Sequence, residues 1–160
     1  MQRPDLVSEL IVCEGNITAG GGAGTKYFTS VSQQEFVDKL FPNLLAKWRE
    51  DGRNGDTQAE WRCGAWDDPD FAGIYKSSKS LVDLPEDFKQ RFFSLPIIRT
   101  FVYGENSLPE KTGEIKADAP GPNELQENGV SIAVVPNTGH DLMIFNPDGF
   151  VKVLSAILRD

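Results

Sequence analysis

Residues 132–158 read Ile132-Ala-Val-Val-Pro-Asn-Thr-Gly-His140-Asp-Leu-Met-Ile-Phe-Asn146-Pro-Asp-Gly-Phe150-Val-Lys-Val-Leu-Ser-Ala-Ile-Leu158. The β-branched run at 130–135 has the length and composition of a buried strand. A turn follows, carrying the only histidine of the chain, His140. From Pro147 the period becomes helical, with Asn146 placed as N-cap. Phe150, Val151, Val153, Leu154, Ile157 and Leu158 are predicted to face inward. Strand, turn and helix in that order form the repeating unit of a parallel α/β sheet.

Two further strands lie upstream. Residues 6–12, LVSELIV, run into Cys13-Glu14-Gly15-Asn16, and their near-continuous apolar character suits a parallel sheet covered on both faces. Residues 96–105, PIIRTFVYGE, form the second strand and end in Gly104-Glu105. Gly20, Gly21, Gly22 and Gly24 predict a mobile connector, since no lysine is placed as in a phosphate-binding loop and no helix is expected directly after it.

Residues 32–94 carry helical patterning. Ser32 and Glu35 form a capping box ahead of an apolar stripe from Phe36 to Trp48, and Pro42 within the stripe should bend or split the helix. Further helices are predicted at 57–65, at 69–78 with Asp68 as cap, and after Leu84. The block is rich in aromatics, among them Phe36, Phe41, Trp48, Trp61, Trp66, Phe71 and Tyr75, a composition found both in plain cores and in apolar substrate pockets. Residues 106–122 should be loop, followed by a short helix at 123–128 closed by Gly129.

The totals bound the class of protein. One domain is expected from 160 residues, 39% of them hydrophobic and 25% charged. A net charge of -8 with no basic cluster argues against nucleic acid and against an anionic membrane surface as partners. Cys13 and Cys63 stand in no metal-binding spacing, so no metal and no disulfide are expected, and no cofactor motif is present. Without a signal-like or membrane-spanning stretch, the expected location is the cytoplasm.

In a parallel α/β sheet the reactive groups sit beyond the carboxyl ends of the strands. The three strand ends here present Glu14, Glu105 and His140 to one edge. A carboxylate beside an imidazole is the orienting half of a nucleophilic relay, in which the acid fixes the tautomer and the ring takes the proton. No serine stands in a G-x-S-x-G elbow, and neither cysteine is flanked by glycines at that spacing.

The run VVPNTGHDLMIFNPDGFVKVLSAIL resembles the carboxyl-terminal end of α/β-hydrolase-fold proteins, where the last strand leads to a Gly-His turn and then to a helix. By the same resemblance RPDLVSELIVCEGNI corresponds to the sixth strand, PIIRTFVYGEN to the seventh, and residues of about 30–95 to a helical cap insertion. The resemblance implies a single partial hydrolase-like domain over 1–160, three parallel strands with a cap, and hydrolysis of an ester or related bond in the intact family. It implies His140 as catalytic base. The family acid commonly follows the seventh strand, where this chain has Ser107; some members place it after the sixth, which favours Glu14 over Glu105.

The first five strands, the oxyanion loop and the nucleophile elbow have no counterpart, so the chain alone is expected to lack triad turnover. The resemblance further implies a small apolar substrate under the cap. It leaves residues 6–12 as an open sheet edge through which the chain could pair with itself or a partner. A non-catalytic interaction module, or a fragment of a longer hydrolase, are the alternatives.

Overall fold

The computed structural model describes residues 4–65, 69–114 and 120–158. Trp66 and the predicted cap Asp68 lie outside them, as do residues 115–119 of the expected loop. In chain order the elements are β1 (Glu9–Cys13), α1 (Ala23–Phe28), α2 (Gln33–Glu35), a π-helical stretch (Phe36–Leu40), α3 (Phe41–Arg53), α4 (Thr57–Ala65), α5 (Phe71–Val82), α6 (Phe88–Phe93), β2 (Ile98–Gly104), α7 (Pro109–Thr112), α8 (Pro122–Glu127), β3 (Ser131–Val135), α9 (Leu142–Phe145) and α10 (Pro147–Ile157). They divide into two compact units, Gly20–Leu84 and the remainder.

The larger unit is built on a three-stranded parallel sheet in the order β1-β2-β3, so its class is α/β. Cys13 aligns with Val102 on one side of the centre strand, and Gly104 aligns with Val135 on the other. Side chains alternate across the sheet. Phe101 and Tyr103 project to one face and pack with Phe92, Leu125, Val130 and Ile17, while Leu10 and Val12 of β1 join them. Val102 projects to the other face with Val135 and Leu142, where Phe150, Val153 and Ile157 of α10 close over Ile11 and Cys13. The central strand is buried on both faces from Thr100 to Gly104. Each fully buried Phe or Val there contributes roughly 1.5–3 kcal/mol through apolar burial.

Only part of the predicted face of α10 turns inward. Phe150, Val153 and Ile157 follow the i, i+3, i+7 spacing of one stripe, whereas Val151 is 61% exposed and Leu158 68% exposed. Six inward residues would span too wide an arc for one helix on one sheet face. Strand β1 is also shorter than the apolar run suggests. Leu6 falls in a 3-10 turn at Pro4–Leu6 and is 70% exposed, so the paired edge begins at Glu9.

The second unit is helical and its centre is aromatic. Phe36 and Phe41 are fully buried, and Phe28, Phe71, Tyr75 and Trp48 ring them with centroids 5.2–6.1 Å away. Ser32 caps the first turn through the Glu35 N–H, as the capping box predicts. Pro42 does not break the helix. Its missing N–H is absorbed by a widened turn in which the Phe41 N–H reaches back five residues to the Phe36 carbonyl.

Two local expectations are corrected. The glycine-rich stretch is not a plain connector: Gly20 donates its N–H to the Val82 carbonyl at 3.3 Å and α1 starts at Ala23. The helix expected at 69–78 begins at Phe71, capped by Asp70 through the Gly73 N–H at 3.0 Å. None of the described helices is long and apolar enough to cross a membrane.

Candidate active site

The carboxyl edge of the sheet brings two of the three predicted site residues together. Strand β1 ends at Cys13, and Glu14 continues its ladder by donating its N–H to the Val102 carbonyl at 3.0 Å. There the chain turns through a left-handed conformation, with φ of 48° at Glu14. A non-glycine residue held so costs of order 1–3 kcal/mol, and such strain concentrates at functional positions. The turn sends the Glu14 side chain back over the sheet, where Oε1 accepts the Gly104 N–H at 2.7 Å.

His140 reaches the same place from the far edge. After β3 the chain turns at Asn137, whose φ of 57° suits asparagine, and passes Thr138 and Gly139 against Gly104. A Cβ on Gly104 would lie 2.2 Å from the Gly139 carbonyl oxygen and 2.5 Å from that of Thr138. Only glycine permits this approach, and it brings His140 Nδ1 to 3.6 Å from Glu14 Oε2. The Glu14 side chain is 4% exposed and that of His140 67% exposed. A buried carboxylate thus stands behind an imidazole open to solvent. The separation is longer than a hydrogen bond and falls within ion-pair range.

Glu105 is held elsewhere. It opens a 3-10 turn, Glu105–Ser107, where Oε2 accepts the Asn137 N–H at 3.0 Å and Oε1 lies 3.7 Å from Lys111 Nζ. The Asn137 N–H and, after it, the Lys111 charge hold its carboxyl below the usual glutamate value. Ser107 is buried, and the Asn106 N–H beside it donates to the Thr138 carbonyl at 2.9 Å.

Cys13, the thiol of the sheet unit, is not placed as a nucleophile for this pair. Cys13 lies within β1 among the apolar residues under α10, and burial pushes its thiol up, away from the reactive thiolate. Cys63 belongs to α4 in the helical unit. Tyr103 donates its hydroxyl to the Pro120 carbonyl at 2.7 Å; burial first, then the charges of Glu14 and Glu124, push its phenol up. It is a protonated structural donor. Among the described residues no group of three or more His, Cys, Asp or Glu side chains is placed to hold a metal ion.

Gly104 and Asn146 carry more of the site than their sequence positions suggest. Asn146 caps α10 through the Gly149 N–H, as expected, and its Nδ2 also donates to the Pro136 carbonyl at 2.8 Å. A glycine directly before Glu105 was the one sequence signal for the close approach of the histidine loop. The second role of Asn146 has no such signal. Neither a protein-family model nor a curated protein sequence matches the chain.

Proposed function

We propose that the chain is α/β-hydrolase-like and carries the acid–base half of a hydrolytic relay, with His140 as general base and Glu14 as the acid that orients it. The observation that carries this reading is the buried Glu14 carboxylate, 3.6 Å behind the exposed His140 ring. A proton on Nδ1 directed at Glu14 leaves Nε2 as the acceptor nitrogen, which is the tautomer a general base requires. The parallel order β1-β2-β3 and the strand, Gly-His turn and helix around β3 and α10 agree with the same reading. The aromatic unit at Gly20–Leu84 stands, in sequence, where a cap would be inserted, and its rings pack on one another around Phe36 and Phe41.

A general base without an activated nucleophile and oxyanion donors lacks the steps that carry the rate of acyl transfer. Purified chain should therefore hydrolyse short p-nitrophenyl esters no faster than its His140→Ala variant. Turnover that His140→Ala abolishes would place a nucleophile within these residues, and turnover that His140→Ala leaves intact would remove the relay altogether. The pair has its own test. Because His140 is the only histidine, its ring signals in an NMR titration are unambiguous. Glu14→Gln should move its midpoint to lower pH by withdrawing the charge that favours the imidazolium; an unmoved midpoint sinks the assignment.

A second reading is favoured by the position of β1, which pairs with β2 on one side only among the described residues. Its other side offers backbone donors and acceptors to an added strand. Light scattering on the eluting chain should then report a species heavier than 17.7 kDa, and a strict monomer at high concentration argues against it.

A further inference from the structure

The loop bearing His140 is tied down at three successive backbone groups. Asn146 Nδ2 holds the Pro136 carbonyl at 2.8 Å, Glu105 Oε2 holds the Asn137 N–H at 3.0 Å, and the Asn106 N–H holds the Thr138 carbonyl at 2.9 Å. Glu105 differs from the other two in being charged and in being steadied by a cation, Lys111, at 3.7 Å. It also acts on the residue whose backbone is least usual, Asn137, three positions before His140.

We infer that Glu105 is a positioning residue for the His140–Glu14 pair, its carboxylate pinning the left-handed turn at Asn137 and thereby setting where the loop presents the imidazole to Glu14. The inference rests on the reading of Glu14 and His140 as an acid–base pair. Charge-assisted hydrogen bonds are shorter and stiffer than neutral ones, so a carboxylate on the Asn137 N–H restrains the turn more tightly than water would. When that restraint is lost, the Pro136 and Thr138 ties remain and the loop stays near its place. The separation between Nδ1 and Glu14 becomes a spread of distances, and electrostatic coupling falls as distance grows. On this reading Glu105 acts through the backbone, by its bond to the Asn137 N–H.

The test is an NMR titration of His140 in wild type, Glu14→Gln, Glu105→Gln and Glu105→Ala. Glu14→Gln defines the full coupling of the pair. Glu105→Gln removes the charge of residue 105 but keeps an oxygen acceptor for the Asn137 N–H, while Glu105→Ala removes both, so their difference cancels the direct charge effect. Expected is a midpoint in Glu105→Ala that lies below that of Glu105→Gln by a resolvable part of the full coupling, a difference that disappears when Glu14→Gln is added. If Glu14→Gln shifts His140 but the two Glu105 variants titrate alike, the positioning role is overturned and the pair stands. If Glu14→Gln shifts nothing, the pair itself fails and the inference with it. Hydrogen exchange in the unsubstituted chain checks the restraint independently: the Asn137 amide should be protected at neutral pH and released as Glu105 protonates. An Asn137 amide unprotected at neutral pH overturns the inference.

Discussion

The ends of β1 and β2 carry the same kind of signal, a glutamate beside a glycine at the close of an apolar run, yet the fold uses the two carboxylates in opposite ways. Glu14 is 4% exposed, has a left-handed backbone, and lies 3.6 Å from His140. Glu105 is 35% exposed and spends its oxygens on the Asn137 N–H and on Lys111. Register makes the difference. Cys13 is level with Val102, so Glu14 follows level with Tyr103 and can fold back onto the Gly104 N–H, whereas Glu105 lies beyond Gly104 and meets the outer turn of the histidine loop. Order of Glu and Gly matters as well. At the end of β1 the glutamate comes first and makes the turn; at the end of β2 the glycine comes first and makes room.

Substitutions at the shared contact should break this contrast most severely. Gly104→Ala forces a methyl against the backbone carbonyl oxygens of Thr138 and Gly139. A loss of about 3 kcal/mol is expected from such overpacking, read from urea denaturation, together with displaced His140 resonances. A change within experimental scatter would mean that the Thr138–Gly139 turn moves freely, and the packing account of the site would fall. Glu14→Ala comes next. It leaves the buried Gly104 N–H without its acceptor and should cost about 2 kcal/mol, with Glu14→Gln costing less because an oxygen acceptor is retained. Asn146→Ala removes the α10 cap and the Pro136 tie together and should cost about 1 kcal/mol, checked by the same denaturation midpoints.

How much of this was legible in the sequence follows from the range of each interaction. Strands β2 and β3, the helix α10 and its Asn146 cap are written in local pattern, and the structure holds them within one or two residues of the predicted bounds. Helix α1 has no such signal because Gly20 to Gly24 suppress the helical pattern, and the residue that leads into it, Gly20, is anchored by Val82, far away in sequence. The convergence of Glu14 and His140 on one sheet edge could be anticipated from parallel topology. The resemblance favoured Glu14 over Glu105, but which of the two lies beside His140 depends on the register of β1 against β2 and on a positive φ at a glutamate, neither of which is written in local pattern. Ser107 shows the same limit: nothing in its local pattern indicates that the fold buries it beside the Asn106 N–H that ties the loop.

The smallest effect concerns Glu105 and sharpens the contrast through pH. Its carboxyl is held below the ordinary glutamate value in the folded chain, by the Asn137 N–H first and by Lys111 second. The folded state therefore binds that proton less readily than the unfolded state does. Stability arising from Glu105 is fully present above the unfolded, ordinary value and is lost as pH falls through the lower folded one. Glu105→Gln should accordingly lower the urea midpoint slightly at neutral pH, with the gap to wild type closing across the acidic range below the ordinary carboxylate value. Raising the salt concentration should trim the Lys111 share of that gap and spare the hydrogen-bonded share, since exposed ion pairs are screened more readily than a direct N–H contact. A gap that persists unchanged at acid pH would mean that the carboxylate charge contributes nothing, leaving Glu105 as a neutral acceptor and narrowing its difference from Glu14 to geometry alone.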